Sequence, residues 1–351
     1  MDKFVTLPEE DKIEALEGAA TKQNLLPIIV EKDFWVCWTL KQIFEHEQLA
    51  QHLTFKGGTS LSKAYRLIER FSEDVDLTIS RNAPYLAESA DPMEVGISGK
   101  ERQRRINALK GNARRFVAEL ALPILQKSFA EKLPDGWKLA LDADDSDHQT
   151  ILFSYPRLMN YGMGYGLGGY GIGRFGEGET GYIKPFVRLE FGARGDIEPS
   201  ENKTVSSYVA EAFPQLFDAP HCAVHVLTAE RTFWEKVTIL HALYHRSTLR
   251  DRMSRHYYDT FIMAQKGIAD AALRDLTLLE KVVRNKSLMF ADSKASYDTA
   301  VIGSLRLMPQ EEMLPELKQD YVAMQKMFIG EVPEFESIMS ELAKLEERIS
   351  S

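Results

Sequence analysis

The sequence predicts an α+β fold, and three observations carry that expectation. A strand-like segment ends in Gly57-Gly58 and passes into a helical pattern, and a strictly alternating segment, Asp74-Val75-Asp76-Leu77-Thr78-Ile79, follows it. Beyond Thr228 almost every segment carries the apolar period of a helix. Together they describe a lobe with a mixed sheet, residues 1–225, joined to a mostly helical C-terminal lobe, residues 226–351.

An opening helical region to about Leu49 leads to the short strand His52 to Lys56. Gly57-Gly58 then makes a tight turn where no side chain blocks an approaching ligand. Thr59 or Ser60 is expected to cap the next helix, whose Leu61, Ala64, Tyr65 and Ile68 keep the spacing of one buried face. Free N–H groups at that helix start, with the Thr59 and Ser60 hydroxyls beside them, would suit an anion. Read alone, the glycines favour a plain strand–turn–helix connection, since such turns join strands to helices in many folds.

The strand that follows shifts the balance. Val75, Leu77 and Ile79 take one face, while Asp74, Asp76 and Thr78 take the other. Same-face neighbours lie about 6.5–7 Å apart along a strand, so the two carboxylates can serve one ion or share two. Magnesium takes hard oxygen ligands, commonly one or two protein carboxylates, and leaves its other positions to water and phosphate. A solvated acidic face is the alternative, although Asp is disfavoured in strands.

A third acid is found by the same test. In Val187-Arg188-Leu189-Glu190-Phe191 the apolar residues share one face, so Glu190 can join Asp74 and Asp76 from an adjacent strand. A surface glutamate paired with Arg188 or Arg194 is the alternative. Other strands are expected within Leu139 to Ser154 and at Val224 to Val226, and helices at Arg102 to Leu133, Met313 to Ile329 and Val332 to Ile349. From Thr228, an expected N-cap, a helix buries Phe233, Val237, Leu240 and Tyr244 and leaves Lys236 off that stripe. Arg255 and Asp259 have the spacing of an ordinary ion pair on one helix face.

Gly57-Gly58-Thr59-Ser60-Leu61-x-Lys63 followed by Arg70-Phe71-Ser72-Glu73-Asp74-x-Asp76-Leu77 resembles the signature of the AbiEii/AbiGii toxin family. These are nucleotidyltransferases of the DNA polymerase β-like superfamily, related to the MenT toxins. The resemblance runs from Val30-Glu31-Lys32-Asp33-Phe34-Trp35-Val36 to Phe328-Ile329-Gly330-Glu331-x-Pro333-x-Phe335. It implies catalytic roles for Asp74, Asp76, Glu190, Lys236 and Asp259, metal binding by the first three, and nucleotide binding by Gly57, Gly58, Thr59, Ser60 and Lys63. Lys236 would offset charge on a triphosphate. The family writes its last segment Arg-Asp-x-x-Asp, whereas His256 replaces the first acid here.

The implied reaction is transfer of a nucleoside monophosphate from an NTP to an acceptor hydroxyl, with Mg2+ or Mn2+. Its setting would be a toxin–antitoxin or abortive-infection (phage defence) system, with a tRNA 3′ end as acceptor and a cognate antitoxin protein as partner. A phosphodiesterase or nuclease using the same acids, and a nucleotide-binding protein without turnover, are the competing classes.

Tyr161 to Tyr182 holds nearly half of the 22 glycines, without the pattern of a Walker loop or a dinucleotide fingerprint. It is expected to form a mobile extension. Its tyrosines, Phe175 and Arg174 would suit stacking on a base or nucleic-acid end; an insertion without catalytic consequence is the alternative. The net charge of −9 excludes indiscriminate binding to polyanions, so any RNA contact is local. Candidates are Arg102, Arg104, Arg105, Lys110, Arg114 and Arg115, or Arg246, Arg250, Arg252 and Arg255. The start of the chain lacks a signal peptide's apolar region and no long apolar run could span a membrane. Only Cys37 and Cys222 are present, in apolar surroundings, so a reduced, cytoplasmic setting is expected.

Overall fold

In the computed structural model, residues 1–159, 183–246 and 248–350 are described. The Gly-rich stretch from Tyr161 to Tyr182 lies outside them. The strands are β1 (Leu53–Lys56), β2 (Asp74–Ile79), β3 (Lys138–Leu141), β4 (Thr150–Ser154), β5 (Val187–Gly192), β6 (Ser200–Ser206) and β7 (His221–Leu227). They form one mixed sheet in the order β3-β4-β5-β2-β1-β7-β6. β2 sits centrally, antiparallel to β1 and parallel to β5.

The longer helices are α1 (Glu9–Gln23), α2 (Pro27–Phe44), α3 (Gly57–Lys63), α4 (Gly99–Arg115) and α5 (Leu122–Lys132), then α6 (Ala229–Arg246), α7 (Ser254–Gln265), α8 (Leu276–Met289), α9 (Leu314–Met324) and α10 (Phe335–Ser350). The expected α+β class is therefore found. Between α4 and α5 the helix widens to a π-turn at Phe116–Ala121. Pro123 follows immediately and cannot donate a helical hydrogen bond.

Apolar side chains collect in two clusters. One joins α2 to the apolar face of the sheet, with Trp38 edge-on to Phe129 and Phe129 edge-on to Phe153, each pair 4.7 Å apart. The other is built by α6 to α10, and Leu61 and Ile68 reach into it from the sheet side. α2 also buries three consecutive charges, and each has a partner, as burial requires. Glu31 accepts the Leu158 N–H (2.6 Å), Lys32 pairs with Glu73 (2.5 Å) and Asp33 pairs with Lys63 (2.7 Å).

Two local expectations are corrected. The helix after Gly57-Gly58 starts a turn earlier and stops at Lys63, so the stripe to Ile68 is not helical throughout. The Tyr65 N–H returns to Ser60 O and the Leu67 N–H to Leu61 O, around Arg66 at φ 53°. Lys56 stands at the N-cap position, so neither Thr59 nor Ser60 caps the helix. The second correction is β6, which periodicity did not reveal because Ser-Glu-Asn-Lys-Thr-Val-Ser forms an edge strand with only β7 beside it.

Candidate active site

The polar face of the central strands is set by register. Asp76 lies opposite Lys56 of β1 and opposite Glu190 of β5, while Asp74 lies opposite Arg188. Because opposed residues share a face, Asp74, Asp76 and Glu190 project together with Lys56 and Arg188. The pairing that the alternation in β5 could only suggest is thus present. Burial raises the Asp76 carboxyl to about 7, with the Glu190 and Asp74 charges adding to it and Lys56 and Arg255 opposing. Glu190 is pushed up too, by burial and by Asp74, against Arg188 at 3.2 Å and Arg255.

The two glycines serve this arrangement directly. Gly57 has φ +80°, and a Cβ there would stand 2.0 Å from Asp76 Oδ2. A Cβ on Gly58 would stand 2.8 Å from Arg70 Nη2 and 2.9 Å from Ser72 Oγ. Gly57→Ala is therefore expected to displace the Asp76 carboxylate and lower turnover by about 100-fold, since misplacement by ~1 Å costs that much in a positioned site. Rates with purified variant and wild type check this, and a rate within threefold of wild type would contradict it.

Thr59 and Ser60 are buried and bonded within the protein. Thr59 Oγ1 donates to the Asp74 carbonyl and accepts from the Ser72 hydroxyl, and Ser60 Oγ donates to the Gly57 carbonyl at 2.8 Å. Their hydroxyls lock the turn to β2. Lys63 is not brought to the carboxylates. Its ammonium pairs with Asp33 and stacks 3.8 Å over the Tyr208 ring. Although burial would lower its pKa, Asp33 holds it above the ordinary range.

Lys236 and Asp259 do come together, in a way spacing could not show. Asp259 receives Arg70 through two hydrogen bonds of 2.8 Å and Lys236 at 2.7 Å, and all three side chains are buried. Burial alone would raise the Asp259 carboxyl, but the two cations hold it far below the carboxylate range. The Arg255–Asp259 pair suggested by helical spacing is thus replaced by Arg70–Asp259–Lys236. Arg255 instead lines a small cleft with Arg70, Ser72, Glu73, Asp74 and Arg252, closed by Met324 and Met327.

Arg70, Lys56 and Glu235 were not singled out by sequence reasoning as site residues, and Arg252 only as part of a basic cluster. The one available signal was Lys56, next to the glycine turn on the parity of a strand's polar face.

Among the described residues no three acidic, His or Cys side chains stand close enough to enclose an ion by themselves. Two carboxylates with water and phosphate suffice for magnesium. Asp74 and Asp76 offer hard oxygens on one face, and the like-charge repulsion that raises Asp76 would be relieved by a cation, so the donor set fits.

The basic groups of α4 are largely engaged. Arg104 and Arg105 pair with Glu101, Lys110 with Asp147, Arg115 with Glu119, Arg102 donates to the Pro92 carbonyl, and Arg114 to that of Asp147. Of the later cluster, Arg246 pairs with Asp292, while Arg252 and Arg255 line the cleft.

A family model described as nucleotidyl transferase AbiEii toxin, type IV TA system, matches residues 38–341. The chain belongs to that family. This AbiEii member is thus a nucleotidyltransferase-family toxin of a type IV toxin–antitoxin system, and membership implies a nucleotide substrate and an antitoxin partner. No curated protein matches it. Among solved structures, MenT4, the nucleotidyltransferase toxin Rv2826c from Mycobacterium tuberculosis H37Rv, aligns over 98% of this chain and 99% of its own, at 14% identity and a TM-score of 0.39. The assignment of this AbiEii chain rests on the family model. Among its described residues no helix is long and apolar enough to cross a membrane.

Proposed function

We propose that this AbiEii protein transfers a nucleoside monophosphate from an NTP to a tRNA 3′ end, in a reaction that needs Mg2+ or Mn2+. The observation that carries the reading is the register of β2 with β5, which sets Glu190 beside Asp76 on the face that also bears Asp74. In this reading residues 1–225 form the transferase lobe, and residues 226–351 close the site with Lys236 and Asp259.

Asp74 and Asp76 would hold the cation, with Glu190 beside Asp76. Bound there, it would supply charge neutralisation at the phosphates and lower the pKa of the acceptor hydroxyl. The Gly57-Gly58 turn would admit the triphosphate to the face, and Arg252 and Arg255, which line the cleft beside Asp74, would pair with its β and γ phosphates. The acceptor oxygen bonds to the α-phosphorus as the bond to the β-phosphate oxygen breaks, and pyrophosphate leaves. The hydroxyl proton passes to a Glu190 carboxylate oxygen, whose affinity for it is raised by burial and Asp74. Lys236 acts through Asp259, holding Arg70 behind the turn. The setting is the cytoplasm, as the toxin arm of an abortive-infection, phage-defence pair.

Incubation with each α-phosphate-labelled NTP and total RNA tests the reading. Label is expected on tRNA with wild type and is lost with Asp76→Ala. RNA shortening without label would instead mark a phosphodiesterase, and NTP binding with neither outcome would mark a binder without turnover.

A further inference from the structure

The polar face has a second basic end, opposite the arginine cleft. Lys56, in register with Asp76, leans its ammonium towards Gly195, where an added Cβ would lie 3.6 Å from Lys56 Nζ and 3.2 Å from Thr78 Oγ1. Lys56 Nζ makes no hydrogen bond or ion pair among the described residues. Thr78 is 1% exposed, and its hydroxyl has no partner among the described residues. Buried hydroxyls without partners are rare, and one that persists beside a free ammonium implies a missing acceptor.

Lys286 of α8 belongs to the same end. Its ammonium lies 5.0 Å over the Phe290 ring, which also carries Arg194, the chain neighbour of Gly195; burial lowers its pKa, with Lys56, Arg231 and Arg194 adding to that while Glu235 opposes. Burial would raise the Glu235 carboxyl, yet Lys56, Lys286 and Arg231 hold it below the ordinary range. Arg231 is spent on Asp196 and Glu235, and Arg194 is packed over Phe290. That leaves Lys56 as the cation without a partner among the described residues, with Lys286 beside it over the Phe290 ring.

We propose that Lys56, Lys286 and Thr78 position the acceptor: the two lysines hold the phosphodiester that precedes its terminal hydroxyl, and Thr78 Oγ1 donates to the same group. The inference rests on the transferase reading above. Direction decides between acceptor and triphosphate. The arginine cleft adjoins Asp74, and Thr78 lies about 13 Å farther along the same face of β2. In-line displacement puts the entering oxygen opposite the leaving pyrophosphate. With pyrophosphate on the Asp74 side, the acceptor enters from the Thr78 side.

The test is label transfer from an α-phosphate-labelled NTP to total tRNA by full-length Lys56→Met, Lys56→Arg, Lys286→Met and Thr78→Val. For the two Met variants and Thr78→Val, KM for tRNA is expected to rise about 10-fold while KM for NTP stays within twofold. Each Met variant should also flatten the salt dependence of tRNA binding by about one unit of slope or slightly less. Lys56→Arg should keep most of the acceptor affinity, and Thr78→Val should melt no lower than wild type. If Lys56→Met fails to fold, Lys286→Met and Thr78→Val report on the same group. An unchanged KM for tRNA, or a raised KM for NTP instead, overturns the assignment. Wild type that labels no RNA overturns the transferase reading and this one with it, whereas labelling by wild type with unaffected variants sinks only the acceptor assignment.

Discussion

Asp76→Asn is expected to abolish nucleotidyl transfer, by at least about 100- to 1,000-fold, while making the metal-free protein more stable near pH 8. The first effect follows from removing the acid at the centre of the register between Lys56 and Glu190. The second follows from linkage. The Asp76 carboxyl is raised from 3.8 to about 7 in the folded protein, first by burial and then by Glu190 and Asp74. Folded protein therefore binds a proton that the unfolded chain has already lost, so this contribution is full below about pH 4 and disappears as pH rises through about 7.

A tenfold change in a carboxyl's proton affinity is worth about 1.4 kcal/mol, but partial exposure and relaxation around Lys56 reduce the total to about 1–2 kcal/mol. The variant carries no such penalty at high pH. Thermal melts at about pH 5 and pH 8, with and without Mg2+, check this. Wild type should lose stability between the two and regain it with Mg2+, and the variant should do neither. A variant that melts below wild type near pH 8 would contradict the account.

Asp259→Ala is expected to cost about 3–5 kcal/mol of folding stability, the range for breaking a buried ion pair from one side. Its loss would strip Arg70 of a two-bond partner and leave Lys236 charged in a buried position. Adding Lys236→Met should recover part of that cost, because the orphaned ammonium goes with it. Denaturant midpoints of the two variants, combined in a cycle with Lys236→Met alone, measure the coupling. A loss below about 1 kcal/mol for Asp259→Ala would show that the cluster is not held as described.

What could be read from the sequence was whatever depends on neighbours along the chain. The alternation of Asp74 to Ile79 and of Val187 to Phe191 fixed which side chains share a face, and the sheet then set those faces side by side. The glycine pair signalled close approach, though not that Asp76 and Arg70 are among the groups that come close. Charges were harder to place. Lys63 and Asp259 carry the same residue types as phosphate-binding and catalytic groups, yet their partners, Asp33 and Arg70, are brought in only by tertiary packing. Nor could composition show that the basic groups of α4 are paired with acids on α4 itself and on other segments.

Arg70 is held from two distant places. Asp259 grips its side chain, and its backbone neighbours pair with a segment more than two hundred residues later: Arg70 bridges Phe328, the Phe71 N–H donates to Met327 O, and the Ile329 N–H donates to Glu69 O. A ribosome making this toxin must therefore pass Ile329 before the segment behind the glycine turn can be tied down. The backbone contacts that hold Arg70 are thus completed only late in synthesis.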